Sequence, residues 1–143
     1  MTVIAWDGRT LAADKRSTEG SMARTTTKIH RVASGHMLGA TGNTSVCREL
    51  IDWWVAGAEV AKWPSNGREA SLLVIHPNGT VLFYWDGPVP VGIEDTFIAI
   101  GSGSDFATAA MHLGKSAAEA VQVACIFSTS CGNGIDTLEL THG

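Results

Sequence analysis

Met1-Thr2-Val3-Ile4-Ala5-Trp6-Asp7-Gly8-Arg9-Thr10-Leu11-Ala12-Ala13-Asp14 opens the chain and decides how the rest is read. Residues 2–6 are apolar and rich in β-formers, Asp7-Gly8 is a hairpin-turn signal, and residues 10–14 return as a second strand. The ends of a hairpin lie side by side, so Asp14 is expected beside Thr2. A small residue after the initiator Met normally permits its removal. Thr2 would then carry a hydroxyl and a free α-amine on one residue. An α-amine has a pKa of about 7.7–8.0 and can act as a base near neutral pH. A Thr hydroxyl activated by its own N-terminal amine is a known nucleophile design. One residue is a weak motif, because many chains begin with Met and a small residue. Asp14-Lys15-Arg16 taken alone reads as a solvated strand end. The remaining residues have to decide.

Composition narrows the classes. The chain has 143 residues, 45% hydrophobic and 17% charged, which predicts one folded globular domain over 1–143 with a substantial core. A net charge of -4 without a basic run argues against a nucleic-acid partner. The apolar stretches are too short for a membrane span, and no secretory leader is visible. Cys47, Cys125 and Cys131 show no C-x-x-C pairing, so reduced thiols and a cytoplasmic location are expected.

Further along, residues 17–26 are polar and read as a loop or irregular strand. Residues 27–33 and 36–42 form a second hairpin around Ser34-Gly35. Asn43 or Thr44 caps a helix carrying Val46, Leu50, Ile51, Trp54 and Val55 at helical spacing, with Trp53 and Trp54 on different parts of its face. Residues 70–76 and 80–85 make a third hairpin, and 89–95 reads as a Pro- and Gly-bearing connection. A short strand at 97–100 runs into Gly101-Ser102-Gly103-Ser104. The next helix is expected to be capped by Ser104 or Asp105, with Phe106, Ala109, Ala110 and Leu113 as its apolar face. Ser116-Ala117-Ala118-Glu119 is a capping box opening a third helix through Ile126 to Phe127. Residues 135–141 alternate as a last strand. Eight strands and three helices in this order predict stacked antiparallel layers, not a parallel doubly wound sheet.

Several apparent motifs fail on inspection. Gly101-Ser102-Gly103-Ser104-Asp105-Phe106 lacks the third Gly of a dinucleotide fingerprint, and Gly114-Lys115-Ser116 has Ala109 where a phosphate loop needs Gly. The five His are scattered without metal-ligand spacing, so no metal is expected. No G-x-S-x-G elbow is present.

With Thr2 at the start, Ala13-Asp14-Lys15-Arg16, Thr27-Lys28-Ile29, Gly39-Ala40-Thr41-Gly42, Ala99-Ile100-Gly101-Ser102-Gly103 and Cys131-Gly132-Asn133-Gly134 follow in one shared order. In that order the chain resembles, over nearly its whole length, the N-terminal-nucleophile (Ntn) hydrolases. The specific likeness is to proteasome β subunits and the bacterial HslV-type threonine peptidase. The resemblance implies an α+β fold, a four-layer α-β-β-α sandwich of two antiparallel sheets flanked by helices. It implies that Thr2 Oγ attacks the scissile carbonyl while the Thr2 amine, directly or through water, takes the proton. Lys28 would sit beside the nucleophile and favour its ionised form, and Asp14 would pair with Lys28. The backbone N–H of Gly42, alone or with that of Thr2, would form the oxyanion hole, where losing one donor costs about 2.7–4 kcal/mol of barrier. Ser102 would hydrogen-bond near the amine, although a turn serine explains it equally. Arg16 would order the site. Ala40 and Thr44 would line a small-walled, roomy substrate pocket. No cofactor is implied.

The chain departs from the family in one place. Proteasome subunits carry an Asp three residues before the Ser of Ser-Gly-Gly; those positions are Ser128 and Cys131 here. Polarisation of the amine then falls to Ser102, Ser128 and Ser130, and Cys131 reads as a buried small hydrophobe. No propeptide is seen, so activity would depend on loss of Met1. The leading expectation is a threonine endopeptidase acting on peptides or unfolded protein, in a ring of identical subunits, with any ATPase unfoldase a separate chain. The alternatives are a catalytically inactive assembly or structural protein on the same fold, of phage type, and an Ntn amidase acting on a small amide.

Overall fold

Strands β1 (Ile4–Trp6) and β2 (Thr10–Asp14) pair antiparallel, with Ile4 opposite Ala13 and Trp6 opposite Leu11. The turn between them is held by Asp7. Its Oδ1 accepts the N–H groups of Arg9 and Thr10 at 2.9 and 2.8 Å. Its Oδ2 accepts the N–H of Ala117 at 2.8 Å, tying the turn to the start of a distant helix. One carboxylate thus satisfies three backbone donors, so Asp7→Ala is expected to cost about 1–3 kcal/mol. Urea unfolding should show a lower midpoint with an unchanged m value.

The computed structural model describes residues 2–141; Met1, on which exposure of the Thr2 amine depends, lies outside the described residues. A small ribbon follows the first hairpin, β3 (Arg16–Glu19) with β4 (Met22–Thr25). Next come β5 (Ile29–Arg31) and β6 (Met37–Gly42), helix α1 (Thr44–Val55), β7 (Ala70–Ile75), β8 (Val81–Tyr84) and β9 (Val91–Ile93). The chain continues through β10 (Ile98–Ile100), α2 (Ser104–His112), α3 (Ala117–Phe127) and β11 (Ile135–Glu139). One sheet has the order β10-β1-β2-β11, the other β5-β6-β7-β8-β9, and every pairing is antiparallel.

The side-chain alternation of each strand assembles four layers. Ile4, Trp6, Leu11 and Ala13 of the first sheet meet Ile29, Met37, Leu73 and Ile75 of the second in the central core. Val3, Ala5 and Ala12 point the other way, onto Ala107, Ala110, Ala120, Val121 and Ala124 of α2 and α3. Leu38, Ala40, Leu72 and Val74 face α1, where Val46, Leu50 and Trp53 are buried. The central strands β1, β2, β6 and β7 are buried on both faces because both faces are covered. Among the described residues no helix is long and apolar enough to cross a membrane.

Three strands exceed the eight expected. β3 is half-buried and β4 exposed, and neither carries an apolar face, so the alternation that marks a strand is missing. β9 is an exposed edge strand just after Pro88 and Pro90, where proline is tolerated. Helix phases also differ from the reading. On α1 the buried set is Val46, Leu50 and Trp53; Val55 is exposed and Trp54 only half-buried, its ring tilted against that of His36. Asn43 is the cap, accepting from the N–H groups of Ser45 and Val46. α2 begins after Gly103, with no side-chain cap, so neither Ser104 nor Asp105 caps it. Gly103 is fixed instead by packing, with Val3, Cys131 and Ala124 crowding the place a Cβ would occupy. Ala107, Ala110 and Met111 form the buried face of α2. Phe106, Ala109 and Leu113 are exposed, and Phe106 stacks on Phe127 at the outer surface. Small residues win the interior because the helix layer lies close against the equally small Val3, Ala5 and Ala12.

Candidate active site

The first hairpin extends one pair beyond its strands: the N–H of Asp14 donates to the carbonyl of Val3 at 3.2 Å. This places Thr2 and Asp14 at the same end, as expected from the turn. Asp14 is fully buried, and its two oxygens accept four hydrogen bonds. Oδ1 accepts from the Val3 N–H at 3.1 Å and from Lys28 Nζ at 2.8 Å. Oδ2 accepts from the N–H groups of Arg16 and Gly132, both at 3.1 Å. An ionised carboxylate has about four acceptor positions, so each is used.

Lys28 precedes β5, across the sandwich from Thr2. Its side chain is 8% exposed, and Nζ donates to Thr2 Oγ1 at 3.0 Å as well as to Asp14. A cation donating to a hydroxyl oxygen stabilises the alkoxide relative to the alcohol. It also occupies a lone pair of Oγ1, so the hydroxyl proton has to point toward another acceptor.

On the other side of Thr2, its nitrogen donates to Ser102 Oγ at 3.1 Å. Ser102 Oγ lies 3.0 Å from Ser130 Oγ, which lies 2.9 Å from Ser128 Oγ. Three hydroxyls therefore run in a line from the Thr2 nitrogen. Ser128 reaches Thr2 only through Ser130. The turn that delivers Ser102 needs glycine. Gly101 has φ +98°, and a Cβ there would lie 2.1 Å from the Thr2 carbonyl oxygen. The same carbonyl accepts from the Gly103 N–H at 3.1 Å, pinning the backbone of Thr2.

A cleft of about 340 Å³ opens beside Thr2. Gly42, Ala40 and Thr44 line it. Gly42 sits at φ +120° with the Glu69 carbonyl 2.5 Å from where its Cβ would be, so a side chain is excluded on both counts. The expectation of a small-walled pocket is corrected by Cys47, Arg48, Ile51 and His30, which also line the cleft. The helical spacing groups three of these four with Thr44, and nothing local marks His30. Thr44, Cys47, Arg48 and Ile51 are spaced i, i+3, i+4, i+7 and share one helix face. His30 has its proton affinity lowered by burial and by the charge of Arg48.

Arg16 lines the cleft and is anchored by Nη1 to the carbonyl of Thr129 and by Nε to Asn133 Oδ1, both at 2.9 Å. Cys131 is buried in the helix-side core and does not line the cleft. Cys125 beside it is pushed up to about 11, first by burial and then by the Asp14 and Cys131 charges, so it is a poor nucleophile at neutral pH.

No family model and no curated protein matches the sequence. Solved structures do match. Eukaryotic HslV from Trypanosoma brucei superposes with a TM-score of 0.74 at 22% identity, covering 99% of both chains. Thiobacillus denitrificans BPH in complex with epoxomicin gives 0.73 at 20% identity, covering 99% of this chain and 100% of that one. A second structure of Thiobacillus denitrificans BPH gives 0.71 at 19% identity, covering 99% of each. With its two antiparallel sheets packed face to face between α1 and the α2/α3 pair, the chain has the fold of HslV, the Ntn-hydrolase sandwich.

Proposed function

We propose that the chain is a proteasome-like threonine endopeptidase whose nucleophile is Thr2 after removal of Met1. One observation carries this reading: Lys28 Nζ is held between the buried Asp14 carboxylate and Thr2 Oγ1 at 2.8 and 3.0 Å. A merely structural lysine gains nothing from being desolvated against a threonine hydroxyl at a strand end. A nucleophile gains a fixed positive charge where negative charge develops.

In the proposed reaction Thr2 Oγ bonds to the peptide carbonyl carbon and its proton passes to the free Thr2 amine. The amine then protonates the leaving nitrogen as the C–N bond breaks, leaving an ester on Thr2. Water, deprotonated by the same amine, releases the acyl product and restores the hydroxyl. The Gly42 N–H stabilises the tetrahedral oxyanion. Ser102, backed by Ser130 and Ser128, holds the amine with its lone pair toward the hydroxyl. Arg16 stiffens the 129–133 loop against the site. No cofactor is required by these steps.

The outward-facing Leu113, Ile126 and Phe127 on the α2/α3 layer support self-assembly, which we propose takes the form of a closed ring. Peptides or unfolded protein would be the substrate, and an unfoldase, where one is used, would be a separate ATPase chain.

The test is intact mass after treatment with a peptide epoxyketone, the class to which epoxomicin belongs. The expected species lacks Met1 and carries one inhibitor molecule, on Thr2. Retention of Met1 with no adduct would instead favour a non-catalytic assembly role for the same fold.

A further inference from the structure

The charge of the cleft runs against the charge of the chain. The protein carries 14 acidic and 10 basic residues, yet Arg16, Lys28, Arg48 and His30 line the space beside Thr2, and no described lining residue is a carboxylate. These cations are not equally compensated. Lys28 has Asp14 beneath it. Arg16 binds the neutral oxygens of Thr129 and Asn133. Arg48 pairs with Asp52 one helical turn on, but their side chains are 76% and 62% exposed, and Asp52 does not line the cleft. Such an exposed i, i+4 pair is weak and readily exchanged for a better partner.

Placement decides what this charge would meet. Arg48 projects from the α1 face shared by Thr44, Cys47 and Ile51, and His30 comes from β5, on the strand that follows Lys28. The two are near enough for Arg48's charge to be felt at His30. A neutral imidazole there still offers one N–H donor. In any attack by Thr2 the reacting carbonyl carbon lies at Oγ1. The side chain of the residue that owns that carbonyl branches one bond away, into the adjoining cleft. A cleft of about 340 Å³ has room for it.

We propose that this cleft selects an acidic side chain, Glu or Asp, on the acyl side of the cleaved bond, with Arg48 as the specificity-determining residue and His30 as a second donor. The proposal rests on the threonine-peptidase reading and names its substrate class. Arg48 offers a planar fork of donors suited to a carboxylate, and Ile51 and Cys47 line the same cleft with apolar surface.

The experiment is a fluorogenic peptide series with constant flanks and Glu, Gln, Leu or Lys at the acyl position. Glu is expected to exceed Gln in kcat/KM by about tenfold, the size of one charge-assisted contact. Raising ionic strength to about 0.5 M should shrink that ratio. Arg48→Glu should invert it and favour Lys. Because Arg48 is exposed, the variant should melt as wild type does. A wild-type ratio of one, or a ratio unchanged by Arg48→Glu, overturns the proposal. Should no peptide turn over and no epoxyketone adduct form, the peptidase reading falls on its own. Fluorescence anisotropy of the uncleaved Glu and Gln peptides then decides the cleft. About tenfold tighter Glu binding that Arg48→Glu removes supports it, and equal binding overturns it.

Discussion

Thr2→Ala is expected to lower peptide turnover by about four to six orders of magnitude, the loss seen when a catalytic unit loses its nucleophile. The substitution removes Oγ1 and with it the contact from Lys28 Nζ, while the backbone bonds from Thr2 to Ser102 and Gly103 survive. The fold should therefore persist, and the melting temperature should move little beside the loss of rate. Thr2→Ser keeps the oxygen and should retain measurable turnover, which separates chemistry from packing. Both variants are assayed on the same fluorogenic peptides, with intact mass confirming that Met1 is absent from each. Turnover by Thr2→Ala at the wild-type rate would end the proposal that this residue is the nucleophile.

Asp14→Asn has the second large expected effect, and it acts on stability and rate together. The four donors on Asp14 come from Val3, Arg16, Lys28 and Gly132. An amide in that place puts N–H groups against N–H groups and removes the carboxylate facing a buried ammonium. Breaking a buried pair from one side costs about 3–5 kcal/mol, a fall in melting temperature of about 10–15 °C for a chain of this size. Turnover should fall further than stability requires, because Lys28 would no longer be held toward Thr2 Oγ1. A double-mutant cycle with Lys28→Met identifies the pair. The double variant should be clearly more stable than the sum of the single losses implies, since it removes charge and counter-charge together. Simple additivity would mean that Asp14 acts through its backbone contacts alone.

The line of hydroxyls through Ser102, Ser130 and Ser128 includes position 128, where the proteasome subunits that the sequence resembles carry an Asp. A carboxylate there would attract the protonated amine. Hydroxyls provide orientation with little electrostatic pull, so the proposed reaction would rest more heavily on Lys28 and Asp14. The two large predicted effects fall on that axis for this reason.

Much of the site was legible because its parts lie at marked points of the chain. Asp7-Gly8 sets the hairpin register, and the register places Asp14 beside Thr2. The Ser116 capping box and the Asn43 cap are local hydrogen-bond patterns and were readable as such. The phase of α2 was not. Its sequence offers Phe106 and Leu113 as core, and only the nearness of Val3, Ala5 and Ala12 sends the small residues inward. Arg48 and His30 are not marked in the sequence as cleft residues, one being an exposed residue of α1 and the other a residue of β5.

By itself the sequence determined the three hairpins that build the two main sheets, the caps of α1 and α3 and the list of residue types able to do the chemistry. Those follow from turn conformations, capping and side-chain periodicity, which act over a few residues. Only the tertiary structure decided which groups meet. Gly132 reaches Asp14 across 118 positions and Ser102 reaches Thr2 across 100. Such contacts exist because two sheets, each covered on its outer face by helices, have to bury their inner faces against each other. Closing that core brings the ends of β2 and β6 and the chain at Lys28 and Ser102 to one edge. It is there that the carboxylate, ammonium and hydroxyls meet.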